Sequence, residues 1–308
     1  MLSVVLATRN RAPILRRTLE ALARLAPPEG GWHLVAVDNG STDETPGVLA
    51  AFAPRLPLAV IREPQPGRSV ALNAALPALR GDLVVILDDD IVPEPDWLLR
   101  HAAVAAAQPD YAVFGGRIVP HWEVPPPRWV MERVDLALCY GIHAEMPEGP
   151  CLYFLVFGGN MSVRTKVFAH GLRFDAGFGP NGTRRYAIGG ETEFVRRAEA
   201  AGFRPWHCRA ALASHFVPRA HMTERWVCNR SRNFGRSQYK TDGPAIRELR
   251  GASEAETAAR IKRAMAGERR RLWRAMLAGD GKARFAARYR LNFLAGLAEE
   301  HARAMRGG

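Results

Sequence analysis

Short apolar runs alternate with helical periodicity over the first 115 residues. Runs typical of buried strands occur at residues 2–7, 33–37, 58–61, 83–87 and 112–114. Between the first two runs, Leu15, Leu19, Leu22 and Ala26 recur at helical spacing. Further helices are predicted after residues 41–43, at 69–79 and at 95–108. These alternations predict an α/β fold with a Rossmann-like, doubly wound and mostly parallel sheet flanked by helices.

The pattern changes after Pro120. Three consecutive prolines at 125–127 interrupt regular structure, and glycine-rich loops with only short strands continue as far as a helix at 191–201. After Pro218 the periodicity is helical, with no strand pattern. We therefore expect one domain over residues 1–220, with halves at 1–115 and 116–220, followed by a helical appendage over 221–308.

The composition is that of a soluble globular protein. Of the 308 residues, 47% are hydrophobic and 24% are charged, which excludes a disordered or collagen-like chain. The four cysteines show no C-x-x-C spacing, and we expect free thiols in a reducing cytoplasm. No apolar run approaches the roughly 18 residues of a membrane span, and no basic segment precedes the first strand. We expect a chain that is neither secreted nor membrane-spanning.

Charge is distributed unevenly along the chain. Residues 1–220 carry 23 Lys and Arg against 22 Asp and Glu, whereas residues 221–308 carry 20 against 9. Nearly all of the net charge of +12 therefore lies in the helical appendage. A neutral body with a basic appendage suggests two separate tasks.

Polar clusters follow three of the predicted strands, at residues 8–10, 38–43 and 88–90. In an open parallel sheet, ligands bind beyond the carboxyl ends of the strands, which is where these clusters would lie. Turn chemistry alone could account for the second cluster. It does not account for the three consecutive aspartates, because adjacent carboxylates repel each other and a divalent cation would neutralise them. The run predicts a Mg²⁺ or Mn²⁺ site with open positions for substrate phosphates.

Short motifs occur in a specific order along the chain. They are Thr8-Arg9-Asn10-Arg11, Val37-Asp38-Asn39-Gly40-Ser41-Thr42-Asp43, Gly67-Arg68-Ser69-Val70-Ala71-Leu72-Asn73, Gly81-Asp82, Asp88-Asp89-Asp90 followed by Pro93 and Trp97-Leu98, Gly158-Gly159-Asn160-Met161, and Gly189-Gly190-Glu191-Thr192-Glu193-Phe194. In this combination the sequence resembles the family 2 glycosyltransferases, whose fold is called GT-A. The resemblance covers about residues 1–220.

The resemblance implies a nucleotide-diphosphate sugar as the donor and a hydroxyl group of a lipid-linked, saccharide or small-molecule acceptor. Residues 1–115 would bind the donor, and residues 116–220 the acceptor. Asp89 would bind the ribose hydroxyls and Asp90 a Mn²⁺ or Mg²⁺ ion, with Asp88 supporting either. The ion would stabilise negative charge on the leaving diphosphate.

Other binding residues follow from the same resemblance. The nucleotide-base pocket would comprise Thr8, Asn10, Asp38 or Asn39, and Arg68, and the donor and acceptor pocket Gly159, Asn160 and Gly190. A carboxylate can accept the ring N–H of uracil, thymine or guanine, whereas neutral cytosine has none, so a UDP, dTDP or GDP sugar is expected. His215 ends a short apolar segment and would be either a further ligand for the ion or an ordinary half-buried histidine.

An inverting transfer needs a general base for the acceptor hydroxyl. In the family this base is an acidic residue at the start of a helix, commonly the Asp of a Gly-Glu-Asp run. Here Glu191 occupies the base position, Gly190 replaces the preceding acid, and Glu193 is a competitor. The two glutamates are about 200° apart around a helix, so only one of them can face the site.

The basic appendage contains an amphipathic segment. Ile261, Met265, Leu272 and Met276 fall near one helical face, and Trp273 lies at its border. The arginines that lie largely elsewhere are Arg260, Arg263, Arg270 and Arg274. One interpretation is a set of helices that cap the catalytic domain. The other is a face that holds a cytoplasmic enzyme on the inner side of an anionic membrane, beside its acceptor. No nucleic-acid-binding module is recognisable, so nucleic acid is not expected as a partner.

We therefore expect a metal-dependent, inverting glycosyltransferase of polysaccharide, glycolipid or glycoconjugate synthesis. Two other functions stay open. A nucleotidyltransferase would more often show a glycine-rich phosphate loop after the first strand, and the segment at residues 8–11 has no glycine. A non-catalytic nucleotide-sugar-binding protein would need no base opposite the metal.

Overall fold

The apolar runs form strands of one sheet in the computed structural model, which describes residues 1–143 and 145–307. The strands are β1 (Leu2–Thr8), β2 (Trp32–Asp38), β3 (Leu58–Arg62), β4 (Leu83–Asp88), β5 (Ile91–Pro93), β6 (Val113–Trp122), β7 (Gly149–Pro150), β8 (Asn160–Arg164) and β9 (Pro205–Val217). The helices are α1 (Ala12–Leu22), α2 (Thr45–Phe52), α3 (Arg68–Ala75), α4 (Trp97–Ala107), α5 (Arg128–Arg133), α6 (Leu136–Tyr140), α7 (Thr165–Ala169), α8 (Gly190–Ala200), α9 (Glu224–Lys240), α10 (Pro244–Arg247), α11 (Glu254–Leu277) and α12 (Gly281–Gly307).

The sheet has the strand order β3-β2-β1-β4-β8-β6-β9-β5, with β7 beside β9. The first four strands pair in parallel, as do β6 and β9, while β8 is antiparallel to both β4 and β6. Strands β5 and β7 are antiparallel to β9. Most of the described strands therefore run in one direction, and the predicted mostly parallel sheet with flanking helices is confirmed.

Helices cover both faces of the sheet. In β1, Val4 and Leu6 pack on one side with residues of α1, α2 and α4, and Val5 packs on the other with residues of α3, α7 and α8. Because neither face of such a strand meets water, the strand is apolar throughout rather than alternating. This double burial made β1, β2 and β4 recognisable as continuous apolar runs, whereas the predicted buried strand at 58–61 is β3, a largely exposed strand at the edge of the sheet.

The chain folds as two compact units. The first comprises residues 1–123, 136–182 and 190–217 and contains the sheet. The second comprises residues 124–135, 183–189 and 218–308, and its described part is helical around a core that includes Ile261 and Phe293. Glycine lets two of its helices cross closely, because a Cβ on Gly235 of α9 would overlap the backbone oxygen of Phe293 in α12.

The amphipathic face predicted in the appendage is divided between two surroundings. Ile261 is buried and Met265 packs against the core of the helical unit, whereas Met276 and Trp273 are 62% and 63% exposed. One part of the predicted face therefore packs within the unit, and the other part is exposed. Within the described residues, every helix is too short or too polar to cross a bilayer. The four cysteines are free thiols.

Candidate active site

The polar clusters after β1, β2 and β4 lie side by side at one edge of the sheet. Thr8 pairs with Asp38 across β1 and β2, and Ala7 pairs with Asp88 across β1 and β4. Parallel strands end at a common edge, so clusters that are distant in sequence meet there. The predicted convergence of these clusters is confirmed.

Asp89 and Asp90 share one arginine. Asp89 is buried, with one oxygen 2.9 Å from Arg11 Nη1 and the other accepting a hydrogen bond of 2.7 Å from Thr8 Oγ1. Asp90 Oδ2 lies 2.8 Å from Arg11 Nη2 and 3.4 Å from His215 Nε2. The Arg11 guanidinium therefore bridges the two carboxylates, and Thr8 orients Asp89.

Asp88 is the most exposed of the three aspartates and has an arginine of its own. Arg68 Nε donates to Asp88 Oδ1 over 2.7 Å, and Arg68 Nη2 donates to the Gly158 oxygen over 3.1 Å. Two arginines from other elements thus offset the charge of the aspartate run. The sequence analysis named a divalent cation as the neutralising charge, and these arginines are a second source of positive charge.

Burial and ion pairing shift the pKa values of these groups in opposing directions. Burial alone would raise the pKa of Asp90, but His215 and Arg11 outweigh it and hold that pKa well below its usual range. Burial alone would lower the pKa of His215, but the Asp90 carboxylate raises it. For Asp89, burial prevails over the attraction of Arg11 and raises the pKa. Asp90 and His215 therefore stabilise each other's charged forms.

Asp90 and His215 are suitably placed to share a metal ion. Their atoms Oδ2 and Nε2 are 3.4 Å apart, near the roughly 3 Å between adjacent ligands of an ion bound at about 2.1 Å. His215 Nδ1 donates to the Tyr140 oxygen over 2.5 Å, which orients the ring and leaves Nε2 toward Asp90. No group of three or more Cys, His, Asp or Glu side chains in the described part of the chain is arranged to hold an ion. An ion here would take its other ligands from substrate phosphates and water.

The residues predicted to bind the nucleotide base differ in their burial and hydrogen bonding. Asn39 is buried, and its amide makes three hydrogen bonds to the backbone of residues 63–67. This corrects its predicted role as a base contact, since the amide instead joins the loops after β2 and β3. Asn10 is exposed in a left-handed conformation with φ of 52°, and Asp38 lies at the end of β2. Asn10 and Asp38 stay as the predicted base contacts.

The two candidate bases at the start of α8 have different surroundings. A Cβ added to Gly158 would lie 3.1 Å from Glu191 Cβ and 2.8 Å from Arg68 Nη2, so Glu191 and Arg68 both lie close to this glycine. Burial alone would lower the pKa of Arg68, but Asp88 and Glu191 raise it. Glu191 therefore belongs to the same electrostatic site as the aspartate run.

Glu193 forms an ion pair within its own helix. It is buried, and its carboxylate accepts hydrogen bonds of 2.6 and 2.7 Å from Arg197 one turn later. The spacing of four residues between Glu193 and Arg197 is visible in the sequence and typical of a helical ion pair. This spacing is the one sequence signal that distinguishes Glu193 from Glu191.

Two of the three predicted pocket residues lie at the site. A Cβ on Gly159 would be 3.4 Å from Asp88 Oδ2, and one on Gly190 would be 3.3 Å from Ser69 Oγ, beside Arg68. Both glycines therefore allow close packing around the aspartates and the start of α8.

Asn160 lies in the core, which corrects its predicted place in the pocket. Its side chain is fully buried, and Oδ1 accepts hydrogen bonds from Trp97 Nε1 at 2.8 Å and His101 Nε2 at 3.0 Å. Its Nδ2 group donates to the backbone oxygens of Arg117 and Ala211, at 2.9 Å each. The amide thus joins α4, β6 and β9 to β8.

Arg11 is the main site residue that the sequence analysis left without a role. It belongs to the Thr8-Arg9-Asn10-Arg11 motif, but its contact with Asp90 spans 79 positions of the chain. Local sequence carries no signal for such a contact.

Comparison with known proteins identifies the family. Residues 3–171, more than half of the chain, match the model of Glycosyl transferase family 2. The chain belongs to glycosyl transferase family 2. A PGL/p-HBAD biosynthesis glycosyltransferase of Mycobacterium bovis is 35% identical over 123 residues, which are 39% of this chain and 47% of that protein. A beta-monoglucosyldiacylglycerol synthase of a Nostoc species is 31% identical over 102 residues, which are 32% of this chain and 22% of that protein. The matched segments thus span less than half of either relative.

A solved structure supports the fold of this family 2 glycosyltransferase. Mannosyltransferase PcManGT from Pyrobaculum calidifontis, in complex with GDP-Man and Mn²⁺, superposes with a TM-score of 0.63 at 20% identity. The superposition covers 97% of this chain and 86% of that one. The predicted GT-A fold is confirmed.

Proposed function

We propose that this family 2 glycosyltransferase transfers a sugar from a nucleotide diphosphate to an acceptor hydroxyl, with inversion at the anomeric carbon and with Mn²⁺ or Mg²⁺ as cofactor. The grouping of Asp88, Asp90 and Arg68 at one sheet edge supports the proposal, with Glu191 and Arg68 both close to Gly158. One site thus contains groups that can bind a metal ion and a diphosphate and a carboxylate that can accept the proton of a hydroxyl group.

Donor binding would fall to Asp88, Asn10 and Asp38. Asp88 suits the ribose hydroxyls better than Asp89, because Asp89 is buried with both oxygens paired. Asn10 and Asp38 would contact the base, and the Asp38 carboxylate can accept the ring N–H of uracil, thymine or guanine. We therefore propose a UDP, dTDP or GDP sugar as the donor. The GDP-Man complex of the mannosyltransferase is in keeping with this class of donor.

Asp90 and His215 would hold the metal ion. When bound, the ion would neutralise the negative charge that develops on the leaving diphosphate. Arg68 supplies a fixed positive charge at the same edge of the sheet, held by Asp88 and the Gly158 oxygen. A cation that is already oriented costs little reorganisation when charge develops beside it.

Glu191 acts as the general base. Its carboxylate takes the proton from the acceptor hydroxyl while that oxygen attacks the anomeric carbon. The bond between the anomeric carbon and the diphosphate oxygen breaks, and its electron pair leaves with the nucleotide diphosphate. Glu193 takes no part, because Arg197 holds it along the helix.

A ligand screen followed by turnover measurements tests this proposal. Thermal shifts with UDP-, dTDP- and GDP-sugars, with and without Mn²⁺, would identify the donor, because a ligand at 100 times its Kd stabilises by roughly 2.7 kcal/mol. With that donor, Asp90→Asn should lose metal-stimulated turnover. The matched control is Asp96→Asn, which removes an exposed aspartate paired with Arg100.

Two results would contradict the proposal in different ways. Full metal stimulation of the Asp90→Asn variant would remove Asp90 from the metal site. Donor binding without transfer or hydrolysis of any bound sugar would favour a non-catalytic nucleotide-sugar-binding protein.

We further propose that the enzyme works at the cytoplasmic face of an anionic membrane on a lipid-linked acceptor. At the end of α11, Trp273, Met276 and Leu277 are 63%, 62% and 69% exposed. The exposed Arg269 and Arg270 precede Trp273 by one turn on the same side of the helix. Exposed aromatic and aliphatic side chains next to arginines are typical of helices at a membrane interface. The similarity to a beta-monoglucosyldiacylglycerol synthase supports a lipid acceptor.

Vesicle flotation tests the membrane proposal. The full chain should float with vesicles that contain phosphatidylglycerol, and this binding should weaken as salt rises. It should not bind vesicles of pure phosphatidylcholine. Arg270→Glu and Trp273→Ser should each reduce binding, since one arginine near such a surface contributes about 1 kcal/mol. Leu99→Ser, an exposed leucine of α4, is the control. Equal binding to both vesicle types at low salt would contradict the proposal.

A further inference from the structure

Arg11 occupies a position that conflicts with the proposed metal site. Its guanidinium lies 2.9 Å from Asp89 and 2.8 Å from Asp90 Oδ2, the same oxygen that faces His215 Nε2. The Arg11 side chain is 32% exposed, whereas those of Asp89 and Asp90 are 5% and 12% exposed. The arginine thus covers two nearly buried carboxylates from the solvent side.

A guanidinium and a divalent cation compete for Asp90. Each is attracted by the same carboxylate, and at separations of about 4 to 5 Å they repel each other by several kcal/mol at the effective dielectric constant of a protein surface. An arginine that stays on Asp90 therefore weakens metal binding. An arginine that leaves Asp90 frees the oxygen beside His215.

The Arg11 side chain can move while its backbone stays in place. Arg11 precedes the first residue of α1, its amide donates to Thr45 Oγ1 over 3.2 Å, and its carbonyl accepts from the amides of Ile14 and Leu15. Rotation about the side-chain bonds alone would carry the guanidinium off Asp90. Asp89 would keep its hydrogen bond from Thr8.

We propose that Arg11 is a resident counter-cation that holds Asp89 and Asp90 in the free enzyme and moves to the donor's diphosphate when donor and metal bind. This inference rests on the proposed function. Its consequence is that metal and nucleotide bind cooperatively: the diphosphate gives Arg11 a new anionic partner, and its departure opens Asp90 to the ion. By linkage, each ligand then strengthens the other by the same factor.

Metal-binding titrations of the full chain test this role without an activity assay. Free Mn²⁺ is followed by electron paramagnetic resonance, first with protein alone and then with UDP or GDP present. Without nucleotide, Arg11→Gln should bind Mn²⁺ at least about tenfold more tightly than the unmodified chain, because the competing charge is gone. The strengthening of Mn²⁺ binding by the nucleotide should shrink in this variant. The Mn²⁺ affinity of Arg11→Lys should lie between those of Arg11→Gln and the unmodified chain.

Control variants separate competition from damage to the fold. Arg55→Gln removes an arginine from the exposed Glu20 pair and should leave Mn²⁺ binding unchanged. Because Arg11→Gln leaves the buried Asp89 without its cation, the double variant Arg11→Gln with Asp89→Asn removes both partners. The gain in Mn²⁺ affinity should persist in that double variant.

The results distinguish this proposal from the one on which it rests. Equal Mn²⁺ affinity of Arg11→Gln and the unmodified chain without nucleotide would overturn the role of Arg11 and leave the metal site standing. Loss of Mn²⁺ binding in Arg11→Gln alone would also overturn only the role of Arg11. An unmodified chain that binds no Mn²⁺, even with UDP or GDP present, would overturn both.

Discussion

Replacing Glu191 with glutamine removes the proposed base while keeping the size of the side chain. A general base acts mainly in the transition state, so turnover should fall by about 10² to 10⁴, with donor affinity nearly unchanged. At about 1.4 kcal/mol for each factor of ten, this loss corresponds to about 2.8 to 5.6 kcal/mol of transition-state stabilisation. Stability should change little, because Glu191 lies beside a glycine and is not buried.

Glu193→Gln is the matched control two residues away, with the opposite expectation. Its carboxylate accepts two hydrogen bonds from Arg197, and its side chain is only 7% exposed. Loss of this partly buried pair should destabilise the fold by about 1 to 2 kcal/mol. Turnover should stay within a factor of a few of the unmodified enzyme, because this carboxylate already has a partner within its own helix.

Initial rates of donor turnover at saturating acceptor separate the two variants, with urea unfolding as the measure of stability. The configuration of the product at its anomeric carbon, read by proton NMR at early times, tests inversion. A large loss of turnover for Glu193→Gln together with a small loss for Glu191→Gln would refute the assignment. Retention of configuration would refute the single displacement even if Glu191 proved essential.

The remaining predictions concern the support of the site. Asn160→Ala leaves four buried partners of the amide unpaired and should lower the free energy of unfolding by about 3 to 5 kcal/mol in urea, whereas the exposed Asn292→Ala should cost under about 1 kcal/mol. Gly158→Ala places a methyl group 2.8 Å from Arg68 Nη2 and should weaken both nucleotide binding and turnover, with little change in melting temperature. Burial lowers the pKa of His101 to about 4 in the folded chain. As pH falls below about 6.5, this histidine is therefore protonated in the unfolded chain before it is protonated in the folded chain. Unfolding free energy should therefore decline between about pH 6.5 and 4, by up to about 3 kcal/mol from this group, and His101→Gln should flatten the decline. An equally steep decline in that variant would assign it to other groups.

The basic end of the chain shows where a helical pattern is ambiguous. The periodicity of residues 261–276 predicted an apolar face correctly, but it could not tell whether protein or lipid covers that face. The structure shows Ile261 inside the helical unit and Met276 exposed. A protein core and a lipid membrane produce the same sequence pattern, because both favour apolar side chains on one side of the helix.

The site shows the same limit for polar residues. The order of motifs predicted that the aspartate run, Arg68 and the start of α8 belong together, and they do meet. Asn160 and Asn39 were predicted to bind ligand, yet both satisfy buried backbone or ring groups of the protein itself. A buried asparagine and a ligand-binding asparagine are the same letter in a sequence, and only the partners around the amide tell them apart.

Local patterns in the sequence were enough to predict the alternation of strands and helices, the edge of the sheet at which chemistry is concentrated, and the family. Each of these depends on short-range spacing: apolar runs that are buried on both faces, polar residues directly after strands, and short ordered motifs. Two features became visible only in the folded chain: β8 lies between β4 and β6, and Arg11 covers Asp89 and Asp90. A charge or an amide acts over a few ångströms of space, and the fold brings together groups far apart along the chain, such as Arg11 and Asp90, which are 79 positions apart.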